Sequence, residues 1–269
     1  MWNLLKAEAL KLRRCSILLV GIVALALCPV VQYGSQLVMA PEYRETNYDF
    51  VRLFENVVWG NAQIFLPISL VMIGGWLIDR ESVHDTLKNI VTVPVPMPKL
   101  LTAKLLLIGI LAILFGIYSV IITLIVGTAV GLPGLDMQAA FHYGTQVIMA
   151  ALTTYLVCTP LILAFGQIRG AYLGGSILAF FLGYSMMFFK GGALASVYPF
   201  SAALILTGFD MSAYAGTTTR PNLLLSFAGA GSMVLLAVLL LVLSGRKKEQ
   251  NGKPGSKKKG KVASRRKGR

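Results

Sequence analysis

Gly191–Phe209 reads GGALASVYPFSAALILTGF, and the fold turns on whether this stretch crosses a membrane. It carries no charge, and its length is close to the about 20 residues that a helix needs to span about 30 Å of hydrocarbon. Yet it holds three glycines, two serines and, at its centre, Tyr198-Pro199. Glycine and proline are the poorest helix formers, and proline removes a backbone donor. The reading of this window sets the number of spans and the side on which the C-terminus lies.

The surrounding chain is apolar throughout. Of 269 residues, 56% are hydrophobic and 13% charged, about half the charged share of a soluble domain, and the mean hydropathy is +0.71. Six further charge-free windows run Cys15–Pro41, Asn56–Ile78, Leu105–Leu135, Met137–Ile168, Gly170–Phe189 and Pro221–Gly245. Strands of a membrane barrel would be half as long and would alternate polar with apolar. These windows do not alternate, so an all-α integral membrane protein is expected. The basic start of the chain resembles a signal peptide, but the apolar run continues past Cys28, so a retained first span is expected.

Lys and Arg near span ends favour the cytoplasm. With the N-terminus inside, Lys6, Lys11, Arg13 and Arg14 lie inside, Arg44 and Arg52 outside, and Arg80, Lys88, Lys99 and Lys104 inside. Arg169 then falls inside, and Lys190 and Arg220 outside. The tail from Arg246 to Arg269 carries twelve bases and one acid, Glu249. The other 245 residues carry thirteen bases and ten acids. A seventh span would push the basic tail outside. Parity therefore predicts six transmembrane helices, both termini cytoplasmic, and a re-entrant segment, 191–215 with Tyr198 and Pro199 at its break, before the last span. Such backbone survives at membrane depth only when protein or a wet cavity covers it.

Three regions follow: an amphipathic interfacial helix at 1–14, a transmembrane domain at 15–245 and a disordered basic cytoplasmic tail at 246–269. The first places Trp2, Leu5, Ala9 and Leu12 on one stripe. The last has almost nothing to bury, and no folded module or aromatic series accompanies its charge, so no specific nucleic-acid partner is expected. Pro29, Pro67 and Pro160 fall inside spans, and Gly166, Gly170 and Gly174 form a small-residue stripe suited to close packing.

Recognisable catalytic chemistry is sparse. Cys15, Cys28 and Cys158 are isolated and read as small apolar side chains. Two histidines offer no metal site, and no catalytic, cofactor or metal residue is assigned. The tail sequence GSKKKGKV fits G-x-x-x-x-G-K but lacks the magnesium-binding Ser/Thr and a preceding strand. No carboxylate pair lies in a span interior, which weighs against a proton or sodium pump.

One polar interruption remains: RESVHDTLKNIVTVPVPMPK, Arg80–Lys99. Val83, Leu87, Ile90 and Val91 form a helical stripe, with Glu81, Asp85 and Lys88 placed to suit the helix dipole and Asp79 or Ser82 as a cap. Pro94, Pro96 and Pro98 then break the helix, which restarts near Lys99.

This run resembles the cytoplasmic segment after the second span of ABC-2 type transporter permeases. The matching residues are Arg80-Glu81, Thr86-Leu87-Lys88, Pro94 and Ala103-Lys104, with Asp85 where glycine is common. The opening Leu4–Arg13 is similar too, and the closest likeness is to lantibiotic- and bacitracin-resistance exporter permeases. The resemblance implies a membrane subunit without ATPase activity of its own. It pairs with a second permease, identical or paralogous, and with ABC ATPase subunits that bind ATP and magnesium. Arg80, Glu81, Val83, Asp85, Thr86, Leu87, Lys88, Ile90 and Pro94, within a coupling segment 79–99, would meet the ATPase. The expected setting is a bacterial cell membrane, multi-pass, and the expected cargo is an amphipathic peptide, lipid or drug. The alternatives are a stand-alone secondary transporter or channel, and a membrane-bound lipid-modifying enzyme.

Overall fold

The computed structural model describes residues 2–12, 15–45, 47–83, 97–189, 192–215 and 222–252. Among them all regular structure is helical. Helix α1 (Trp2–Leu12) precedes α2 (Ile17–Val38). Helix α3 (Phe50–Gly60), a π turn (Asn61–Phe65) and α4 (Leu66–Val83) follow one another without a break. The chain continues with α5 (Met97–Val130), α6 (Met137–Gly166) and α7 (Tyr172–Tyr184), the last extended by a 3-10 turn (Ser185–Phe188). Two short helices, α8 (Gly192–Val197) and α9 (Pro199–Ile205), lead through α10 (Ser212–Ala215) to α11 (Leu223–Gly252).

Among the described residues, five helices are long and apolar enough to cross a membrane: Ile17–Val38, Phe50–Arg80, Met97–Val130, Met137–Gly166 and Leu223–Ser244. The window expected as a fifth span is shorter, Tyr172–Phe188. At 1.5 Å per residue it reaches about 25 Å, just under the hydrocarbon thickness. The rod through α3 and α4 forms the centre. Its most apolar window is 78% buried, against 22% for α2 and 17% for α11. Helix α4 packs on α2, α5, α6 and α7, and its Leu70, Val71, Ile73 and Leu77 lie in the core.

Local sequence explains the irregularities of this rod. Asp49 caps it, its side chain accepting from the Arg52 amide at 2.9 Å. Pro67 cannot donate to the Gln63 carbonyl four residues back, and the π turn occurs at that point. Helix α7 closes over the same place: a methyl on Gly183 would run into the Gln63 carbonyl.

Several expectations need correction. Asp79 and Ser82 do not stand at a helix start, because α4 runs unbroken through both to Val83. Pro98 does not stop a helix. It sits in the first turn of α5, where a missing N–H has no cost. The glycine stripe holds only at Gly166, where an added Cβ would come within 3.0 Å of the Gly75 carbonyl. Gly170 lies in a turn with φ +70°, Gly174 faces open space, and Gly175 is the residue packed on Phe165. Ala9 is exposed, and the buried centre of α1 is Glu8. Helix α11 continues to Gly252, inside the region expected to be disordered from 246. Arg, Lys, Glu and Gln are good helix formers, and the bases suit a helix C-terminus.

Candidate functional site

The most elaborate polar cluster lies where α1, α4 and α5 meet, within about two turns of the end of α4 and the start of α5. Lys104, in the third turn of α5, is 1% exposed, and so is Glu8 of α1. The Lys104 ammonium donates to Glu8 Oε2 at 3.0 Å and to the Leu77 carbonyl of α4 at 2.7 Å. Glu8 Oε1 accepts from Lys11 at 2.5 Å. Burial by itself would raise the Glu8 carboxyl, but the Lys104 and Lys11 ammoniums outweigh it and hold the group below its ordinary value.

The end of α4 is tied on two more sides. Asp79 Oδ2 accepts from the Gly170 amide at 3.2 Å, in the turn between α6 and α7. Arg80 donates to the Lys11 carbonyl at 3.4 Å and to Cys15 Sγ at 3.1 Å, and its guanidinium lies 5.4 Å from the centre of the Trp76 ring. Cys28 and Cys158 are buried as small apolar side chains, whereas Cys15 takes part in this junction. Charge-assisted bonds of this kind hold orientation as well as contact.

A second polar zone lies inside the bundle. Asn61 Nδ2 in the π turn donates to Ser119 Oγ of α5 at 2.8 Å, and Gln146 Nε2 of α6 donates to the Thr207 carbonyl at 3.4 Å. Among the described residues, Asn61 Oδ1, Gln63 Nε2, Ser69 Oγ and Gln146 Oε1 are buried without a partner. Polar groups at such depth carry a cost and mark places where function is concentrated.

Residues 192–205 form a broken helix. Tyr198 is extended between α8 and α9, and Pro199 starts α9 at a position where proline is favoured. Tyr198 OH donates to the Leu182 carbonyl at 2.5 Å and lies 2.7 Å from Ser185 Oγ. Ser201 Oγ, fully buried, donates to the Ala195 carbonyl, which Pro199 cannot serve, and lies 3.0 Å from the Tyr198 carbonyl, which also accepts from the Ala202 amide at 2.8 Å. Residues Phe200–Ile205 are all buried.

Of the residues expected to meet a partner, Arg80 reaches α1 and Cys15, in the link to α2. Glu81 and Val83 occupy the last turn of α4. Asp85, Thr86, Leu87, Lys88, Ile90 and Pro94 lie outside the described residues. On α1, Leu12 is buried and Leu5 half-buried, while Trp2 is part of the helix. Nothing in the local pattern singles out Glu8. Its one signal is a lone acid between Leu5 and Leu12 on the same helical face.

A family model described as ABC-2 family transporter protein matches residues 4–188. The chain belongs to that family. This ABC-2 permease is accordingly a multi-pass membrane protein, and the match spans α1, the α3–α4 rod, the segment 84–96 and α5–α7. Comparison with curated proteins and with solved structures gives no match. The broken helix and α11 of the permease lie beyond the matched residues.

Proposed function

We propose that this permease is the membrane subunit of an ATP-driven exporter, with ATP and magnesium bound on separate ATPase chains and no cofactor on this one. The observation that carries the reading is the family match, because it includes the coupling segment 79–99. Members of this family generally work with an ABC ATPase. The unbroken course of α4 from the core to Val83 supports the same reading, since a rigid rod carries displacement from that segment inward.

In this reading Glu81, Val83, Asp85, Thr86, Leu87, Lys88, Ile90 and Pro94 form the face that meets the ATPase, and Arg80 anchors it. Closure of the ATPase pair on ATP pushes the segment, and the helices alternate between inward and outward access. Six spans place both termini in the cytoplasm of a bacterial cell, with α7 as the short fifth span and α8–α9 returning to the outer side. The twelve bases of 246–269 would attract an anionic membrane face. The apolar faces that α2 and α11 leave uncovered suit lipid and a second permease. The cargo is amphipathic, such as an antimicrobial peptide, a lipid or a drug. The unpartnered amide atoms Asn61 Oδ1, Gln63 Nε2 and Gln146 Oε1 would meet its polar parts.

The test is purification of the tagged full-length permease from its native membrane under mild detergent. An ABC ATPase that co-purifies in stoichiometric amount is the expected result. A permease that arrives alone, in membranes where its ATPase is expressed, contradicts the reading.

A further inference from the structure

We propose that Glu8 and Lys104 are positioning residues that dock the interfacial helix α1 onto the base of the coupling segment, so that α1 and the adjoining ends of α4 and α5 move as one body. The movement rests on the exporter reading above; the docking does not.

The geometry carries the docking. Lys104 Nζ holds three elements at once: α5 through its own backbone, α4 through the Leu77 carbonyl and α1 through Glu8. Leu77 lies six residues before the end of α4, and Lys104 seven residues after the start of α5. At 1.5 Å per residue, each is about 10 Å from the segment 84–96. The bonds at Lys104 therefore tie together the two strands of chain that enter and leave that segment. Arg80 adds a second tie, from α4 to the Lys11 carbonyl.

Adhesion alone does not require charges here. Leu5 and Leu12 already give α1 an apolar face, and a buried ion pair adds little over an apolar contact of the same shape. What the pair adds is register. Sliding or lifting α1 would take the buried Glu8 carboxylate away from the Lys104 ammonium that it meets at 3.0 Å. A contact of that kind is costly to open and re-form at every cycle, so the pair stays closed and α1 travels with its neighbours.

The test uses spin labels on the full-length permease in phosphatidylethanolamine–phosphatidylglycerol vesicles. Cys15→Ser, Cys28→Ala and Cys158→Ala remove the native thiols. Ala7→Cys and Lys99→Cys, both at exposed positions, take labels on α1 and α5. The permease alone is expected to give a single narrow distance distribution. Glu8→Gln or Lys104→Met broadens it, and the charge swap Glu8→Lys with Lys104→Glu narrows it again. If a single variant fails to fold, recovery in the swap supports the docking, and failure of the swap as well overturns it. A distribution unchanged by either single variant also overturns it. With the co-purifying ATPase, the distribution is expected to stay narrow when ATP and vanadate trap the complex; broadening on trapping overturns the single-body movement. If no ATPase accompanies the wild type, the exporter reading fails and the single-body movement with it, while the distances in the permease alone still decide the docking.

Discussion

At the scale of single residues, Lys104 shows how much of a membrane fold can hang on one ammonium. Removing one partner of a buried ion pair strands the other, at a cost of about 3–5 kcal/mol. Lys104→Met or Glu8→Leu alone is therefore expected to lower the thermal unfolding temperature in detergent by more than the two together. Equal or additive losses would show that the charges are not coupled. Acid provides an independent check. Because the fold holds the Glu8 carboxyl below its ordinary value, the stability it adds is full above the unfolded value and is lost as pH falls through the folded one. Unfolding followed down the acid range is expected to show a limb that Glu8→Gln lacks. The pair was not legible in the sequence for a physical reason. Glu8 and Lys104 are 96 residues apart, and local spacing carries no information on that distance. A helical-wheel reading puts Ala9 on the buried face, whereas the ammonium waiting inside draws Glu8 there.

Elements were more legible than their ends. Charge-free length located every long helix, because a span must be apolar wherever it meets lipid. It could not show that the second apolar window begins earlier, at Phe50, because Arg52 and Glu55 satisfy each other at 2.9 Å along one face of α3. Nor could it show that Pro67 would be absorbed by a π turn. The Tyr198-Pro199 break was legible because glycine, serine and proline disfavour one continuous helix. Helices α8 and α9 together reach about 20 Å at 1.5 Å per residue, too short to cross. Ala193→Cys and Ser212→Cys, both exposed, are therefore expected to react with an impermeant thiol reagent from the same, outer side. Labelling from opposite sides would make seven spans and place the basic tail outside.

At the scale of the whole molecule, the permease has a buried rod, α3–α4, surrounded by helices that keep much of their apolar surface uncovered. The family resemblance points to Arg80–Lys99 as the end of this rod at which an ATPase would act. Two changes there separate seating from transmission. Under the proposed coupling, Glu81→Lys reverses a charge at the docking face, where a like-charge clash costs several kcal/mol, and is expected to leave the spans intact. Changing Pro94 and Pro96, which precede α5, and Pro98 in its first turn together to Ala lifts three backbone constraints without altering the charge. The most direct measurement is recovery of the ATPase with tagged wild type, Glu81→Lys and the triple Ala variant, purified from the same membranes at ordinary ionic strength. The wild type and the triple variant are expected to retain the ATPase, and Glu81→Lys to lose it. Equal recovery with all three, or none with the wild type, would contradict the assignment of Arg80–Lys99 as the seat of an ATP-driven partner.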